Sequence, residues 1–395
     1  MDLNKNNLNK NMITKTYAKH NSFKNFKRKD TLNSNQAIKK ILEVKKNAKI
    51  LSNLSAQHQK ILDRALFDLT PKKEKVEKFR FQLSENVLSE INTLPDDSLL
   101  RYVVHRYRYE MFPQIKEIDD FPPYLQIEPS SICNFRCVFC FETDTSFTNK
   151  KNGFMGRMTY DLFKRIVDDA EEHVEFLSLA SRGEPLACKD IEKMLIYTKD
   201  KFLNLKINTN ASMLDEAKCH AILSGGVKTI VFSADAADEK LYAKLRVNGK
   251  LSQVLKNIEK FQNIRETRYP KNPIISRVSG VKFSDEQNFD DMISLWNGLV
   301  DQVAFVEYNP WENSYQKKPN GIKQPCSDLW RRMFIWWDGK ANPCDVDYKS
   351  NLSVGTFPEK KLSEIWKSEK YRKLRQAHVK SQRNKLTPCR SCTVI

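Results

Sequence analysis

No run of apolar residues in this 395-residue chain approaches the ~20 that a membrane-spanning helix requires. The amino terminus, Met1 to Lys29, is rich in Asn and Lys and lacks the apolar core of a secretory signal. Both absences point to a cytoplasmic protein. The six histidines form no recognisable ligand pair, and no peptide-recognition domain is recognisable near the amino terminus. In a reducing compartment, nine cysteines are better explained as ligands than as disulfides. Seven of them fall into a group of three and a group of four, leaving Cys188 and Cys219 over.

A chain that is 40% hydrophobic and 29% charged reads as soluble and globular. Its net charge of +18 invites an anionic partner, but residues 1–50 alone hold 13 Lys/Arg against Asp2, Asp30 and Glu43. Basicity concentrated in one tail fits a solvated arm over residues 1–34, so nucleic acid is not an expected partner. A metal-stabilised nucleic-acid binder using that arm is the reading from another class. It requires steeply salt-dependent binding.

The group of three is Cys133-Asn134-Phe135-Arg136-Cys137-Val138-Phe139-Cys140, which follows an expected strand, Tyr124 to Glu128. Three thiolates are one short of the four that close an iron-sulfur cube, so one iron would stay open to a ligand. This CxxxCxxC octet resembles the signature of the radical S-adenosylmethionine (radical SAM) enzymes. The resemblance implies that Cys133, Cys137 and Cys140 hold a [4Fe-4S] cluster whose open iron takes the methionyl group of SAM. Phe139 would sit near the adenine. Reductive cleavage of SAM would then give a 5'-deoxyadenosyl radical, with a low-potential donor such as flavodoxin or ferredoxin supplying the electron.

Around the octet, strand and helix patterns alternate. Expected strands at Tyr124–Glu128, Val174–Ser181, Leu205–Thr209, Thr229–Ser233, Ile274–Val281 and Gln302–Tyr308 are separated by amphipathic helices. Six such repeats call for a parallel sheet with right-handed crossovers, an α/β partial (β/α)6 barrel over residues 121–310. A helical region over residues 35–120 precedes it, with stretches around Ile38–Ala48, Ser55–Leu69, Glu74–Ile91 and Ser98–Met111. The active face of such a barrel lies at the carboxyl ends of its strands.

Beyond the octet, the ends of the second, third and fourth strands each carry a segment similar to one in the family. Ser181-Arg182-Gly183-Glu184-Pro185 resembles its GGEP motif, with Arg182 where the family usually has Gly. Gly183 would let backbone approach the ligand, and Glu184 would receive an ammonium proton. Thr209-Asn210-Ala211 is similar to the TNG turn. Ser233-Ala234-Asp235, followed by Arg246, looks like the S-x-D segment and its arginine. The resemblance makes Gly183, Glu184, Pro185, Thr209, Asn210, Ser233, Asp235 and Arg246 candidate SAM contacts, with Ser233 and Arg246 on the carboxylate. Cys188, just past Glu184, is a candidate hydrogen-atom donor, against the commoner fate of a buried free cysteine.

The group of four is Cys326, Cys344, Cys389 and Cys392. Asp338-Gly339 marks a hairpin turn between the first two, and Leu362 to His378 reads as an amphipathic helix. Pro310 to Lys323 reads as a polar linker. Hairpin, helix and terminal CxxC resemble the short SPASM, or twitch, domain of radical SAM enzymes, here a small α+β unit over residues 311–395. The resemblance implies one auxiliary [4Fe-4S] cluster. Its rival is a structural zinc held by the same four thiolates. The expected activity is hydrogen-atom abstraction from a small polar substrate, a sugar or aminocyclitol alcohol being oxidised. Peptide modification or epimerisation is the alternative.

Overall fold

The computed structural model describes residue 16, residues 32–70 and residues 79–395. Nearly all of the basic arm expected over residues 1–34 lies outside them, as does the beginning of the helix expected at Glu74.

Four helices of more than one turn open the described chain: α1 (Ser34–Lys45), α2 (Ala56–Leu69), α3 (Glu85–Thr93) and α4 (Asp96–Ile115). Asn33 caps α1 in a capping box with Gln36, and Ser55 caps α2 through the His58 amide. Their apolar stripes close on one another around Ile41, Leu62, Leu66, Leu100 and Val103. Pro113 lies inside the last turn of α4.

The parallel strands follow: β1 (Tyr124–Ile127), β2 (Phe176–Leu179), β3 (Asn204–Thr209), β4 (Val227–Ser233), β5 (Ile275–Lys282) and β6 (Gln302–Glu307). Helices α5 (Tyr160–Ala170), α6 (Ile191–Tyr197), α7 (Glu216–Ser224), α8 (Glu239–Leu245), α9 (Leu251–Arg268) and α10 (Phe289–Asn297) form the outer layer. Leu177, Leu205, Ile207, Ile230 and Phe232 face these helices and make the main core. The sheet does not close on itself, as expected of a partial barrel.

Strands β7 (Arg332–Ile335), β8 (Lys340–Asn342) and β9 (Gly355–Thr356) extend the same sheet past β1, in the order β9-β8-β7-β1-β2-β3-β4-β5-β6. The Asp338-Gly339 hairpin therefore forms, but β7 also pairs in parallel with β1, Tyr124 opposite Arg332 and Ile127 opposite Ile335. The expected Leu362–His378 helix is two, α11 (Leu362–Trp366) and α12 (Glu369–Val379), because Ser368 caps the second through the Tyr371 amide.

Helix α4 docks on the sheet near the start of β2. His105 stacks on Phe176 with ring centroids 3.8 Å apart, and Arg101 donates to Glu175 at 2.6 and 2.8 Å. Buried Arg108 of α4 donates to Asp119 Oδ1 and to the Phe121 carbonyl in the turn that leads to β1, both at 2.8 Å. Removing one partner of such a pair strands the other in low dielectric. Asp119→Ala is expected to cost about 3–5 kcal/mol, read as a lower urea midpoint at unchanged m-value. A loss below about 1 kcal/mol would show that the pair is solvated after all.

Candidate active site

The three-cysteine loop leaves the carboxyl end of β1 and is tied down on several sides. Arg136-Cys137 forms a two-residue antiparallel ladder with Arg246-Val247, and the Val138 amide donates to the Leu245 carbonyl at 3.0 Å. The Glu184 amide donates to the Ile132 carbonyl at 3.0 Å. At Gly183 a Cβ would lie 2.5 Å from the Ser130 carbonyl oxygen, so only glycine lets the two loops touch. Gly183 thus admits the backbone of residues 130–132.

Weak donors converge on the thiols. The Phe135 amide lies 3.4 Å from Cys133 Sγ, Asn210 Nδ2 lies 3.9 Å from the same sulfur, and Arg246 Nη1 lies 3.7 Å from Cys137 Sγ. Burial pushes the Cys133 thiol up to about 12 and raises Cys137 and Cys140 as well, with Arg246 opposing the shift at Cys137. Three half-buried cysteines, two of them facing donors and one of those a guanidinium, form a donor set suited to an anionic cluster. Phe139 is buried, its carbonyl takes the Trp311 indole N–H at 3.0 Å, and the Arg246 guanidinium lies 5.8 Å from its ring centroid.

The other strand-end residues meet here, several of them with their capacity largely committed. Glu184 accepts from Thr209 Oγ1 at 2.7 Å, the Asn210 amide at 2.8 Å and the Leu186 amide at 3.0 Å, which staples the ends of β2 and β3 together. Pro185 starts the short turn that carries this staple. Ala211 takes the left-handed conformation, φ 59°, that the family's turn gives to glycine. Asp235, fully buried, pairs with Arg246 at 2.5 Å and accepts from the Val281 amide at 2.6 Å, so it orients the arginine. Ser233 ends β4 opposite Ser279. Cys188 stands apart: it is 3% exposed within the helix-packed core, and its thiol points at the Met158 carbonyl, 3.6 Å away.

Two site features carried no local sequence signal. Arg182 donates to Glu128 through Nε at 2.6 Å and Nη2 at 2.5 Å, and to the Tyr348 carbonyl through Nη1 at 2.8 Å. Glu142, 3% exposed with neither carboxylate oxygen hydrogen-bonded, faces Arg136 at 3.3 Å. Burial pushes its carboxyl up to about 8.

Cys326, Cys344, Cys389 and Cys392 line one enclosed cavity together with His378 and Arg383. The Cys326 amide donates to His378 Nδ1 at 3.1 Å, which puts the ring proton on Nε2. Nε2 itself is buried without a partner, an orphaned donor beside four sulfurs. Arg383 donates to the Cys392, Val394 and Gln324 carbonyls at 2.9, 3.0 and 2.8 Å, ordering the terminal CxxC and placing positive charge beside it. Among the described residues no three Cys, His, Asp or Glu side chains converge on a single-ion site. An enclosed four-thiol cavity with a spare donor and a cation fits a cluster.

Residues 127–292 match the model of the radical SAM superfamily, and residues 326–393 match that of an iron-sulfur cluster-binding domain, SPASM. The chain belongs to the radical SAM superfamily and carries a carboxyl-terminal SPASM domain. It therefore uses SAM, a [4Fe-4S] cluster and an auxiliary cluster. A cofactor-modifying protein for tungsten-containing aldehyde ferredoxin oxidoreductase, from Pyrococcus furiosus, is 25% identical over 63% of this chain and 82% of its own length. A GTP 3',8-cyclase of Clostridium botulinum is 27% identical over 47% of this chain, which spans only 56% of that enzyme. SuiB of Streptococcus suis, solved with its precursor peptide SuiA, superposes with TM-score 0.53 and 18% identity over 93% of this chain and 88% of its own. At that identity the likeness is one of fold.

Gly183→Ala should push the cysteine loop away from β2. The expected cost is about 1–3 kcal/mol of stability, with iron at the three-cysteine loop given up to a chelator before iron at the four-cysteine cavity. Unchanged stability and simultaneous loss of both would show that the close approach is dispensable.

Proposed function

We propose that Cys133, Cys137 and Cys140 hold the SAM-binding cluster, that Cys326, Cys344, Cys389 and Cys392 hold the auxiliary one, and that the enzyme catalyses a net two-electron oxidation of a small polar molecule such as a sugar or aminocyclitol alcohol. The observation that carries this reading is the enclosed four-thiol cavity. Four protein ligands leave no iron for substrate, which favours an electron-accepting or structural role.

When bound, the cluster and SAM supply a carbon radical able to remove a hydrogen atom from substrate. The chain's part is to hold and orient. Arg246, fixed by Asp235, presents a guanidinium for the SAM carboxylate, with Ser233 at the end of β4 as the second candidate. Asn210, anchored through its Oδ1 by Ser212, presents its amide to Cys133 and Asn134. Glu184 keeps the strand ends in register, with three of its roughly four acceptor positions used. Cys188, turned toward Met158, is poorly placed to return a hydrogen atom, which favours oxidation over epimerisation. The electron would come from a low-potential flavodoxin or ferredoxin.

A second reading is peptide modification. It draws on the superposition with peptide-bound SuiB, which takes in 93% of this chain.

Anaerobic reconstitution should give about eight irons per chain, falling to about four in the Cys133/Cys137/Cys140→Ala triple variant. Dithionite with SAM should yield 5'-deoxyadenosine from the wild type and none from the triple variant. Zinc in place of iron at the four-cysteine cavity would remove the proposed electron acceptor.

A further inference from the structure

Alternate residues of the strands face away from the helices, toward the concave side of the sheet. There β1, β2 and β3 carry Gln126, Ser178 and Lys206 as register neighbours. One pleat nearer the cysteine loop, Asn208 on β3 leads across Val231 to Arg277 on β5 and Gln302 on β6. The interior of a closed barrel is ordinarily filled by branched apolar side chains. This one carries a polar band.

Apolar contacts bound the band below. Phe176, two residues before Ser178 on the same face, is covered by the His105 ring of α4. The cysteine loop and the committed strand-end residues bound it above.

Within the band several groups wait for partners. Ser178 is 1% exposed, yet its Oγ makes no hydrogen bond. Asn208 Oδ1 is also buried and unsatisfied. Lys206 Nζ has neither a hydrogen bond nor an ion pair among the described residues. Arg277 is held in place by Gln302, whose Oε1 accepts from Nε at 2.9 Å and Nη2 at 2.7 Å. The rim carboxylates do not compensate Lys206, since Glu128 is bound by Arg182, Glu184 by Thr209 and Asn210, and Asp235 by Arg246. Buried polar atoms left unpaired are costly, and a cation left without a counter-charge adds to the cost.

We propose that this band is the substrate seat and that the substrate carries an anionic group, a carboxylate or a phosphate, paired with Lys206. Ser178 and Asn208 take its neutral polar groups. The proposal rests on the radical SAM reading of the chain and adds the substrate's charge to it.

The test is calorimetric titration of the reconstituted holoenzyme, with SAM present, using compounds paired so that only the anionic group differs. Glucose against glucose 6-phosphate tests phosphate, glucose against gluconate tests carboxylate, and an Asp-containing peptide against its Asn counterpart tests an acidic peptide. In at least one pair the anionic member should bind about tenfold tighter, and the pair that shows it identifies the source. Lys206→Met should abolish the preference. Equal binding within all three pairs in the wild type would overturn the proposal, and so would a preference that survives Lys206→Met. Formation of 5'-deoxyadenosine by the wild type without any added compound reports separately on the radical chemistry, so failure of the seat and failure of the enzyme class are distinguishable.

Discussion

The structure turns on one buried guanidinium. Arg182 lies where β2 ends, forks onto both oxygens of Glu128 at the end of β1, and reaches across to the Tyr348 carbonyl, four residues beyond Cys344. Its planar face lies 4.3 Å from the centroid of Trp336, and the Trp337 amide donates to Glu128 at 3.2 Å. One ion pair therefore joins the rim that carries the first cysteine set to the hairpin and loop that carry the second. Burying two charges is expensive, and the cost is met only where geometry is good and spare hydrogen-bonding positions are filled. Here a bidentate pair, an added carbonyl and an indole face meet that condition.

Aromatic packing repeats the same join. Phe141, next to Cys140, stacks on Tyr348 at 4.9 Å between centroids, and Phe147 meets both rings edge-on. Tyr348 donates from its hydroxyl to Asp144 at 2.9 Å, and Tyr315 donates to Asp347 at 2.8 Å. Tyr315 belongs to the stretch whose polarity suggested a linker. Trp311 and Ser314, from the same stretch, bond to the Phe139 carbonyl and toward the Val346 carbonyl. The segment is a seam between the two cysteine loops, and neither loop can shift without straining the other.

Local pattern made much of this legible. The spacing of Cys133, Cys137 and Cys140, the turn at Asp338-Gly339 and the strand-helix alternation are short-range signals, and each has its counterpart in the fold. What stayed hidden depends on partners distant in sequence. Nothing near Met333 or Phe334 reports that their strand will lie parallel to β1, some two hundred residues earlier, because an apolar strand looks alike beside any neighbour. The close approach of Gly183 to the Ser130 carbonyl was equally hidden, because only the fold brings the two together. Cys188 follows Glu184 closely, but the short turn at Pro185 directs it into the core. Helix α4 gave only its amphipathic length, and its place beneath the sheet comes from Phe176 and Glu175, residues outside it.

The electrostatics of the two cysteine sets also explain why the chain invests in buried arginines. Burial pushes Cys133 and Cys326 up to about 12, so before loading these thiols are protonated and behave as small apolar side chains. Were these thiols to bind the clusters as proposed, they would do so as thiolates, and loading would release protons and place negative charge where water is scarce. Arg246 beside Cys137 and Arg383 beside the terminal CxxC are the counter-charges already in position. Each is tied to other groups, Arg246 to Asp235 and Arg383 to backbone carbonyls, so neither needs to move when the charge arrives. Preorganisation of this kind lets one fold accommodate neutral thiols and anionic clusters without rearranging the loops that Arg182 holds together.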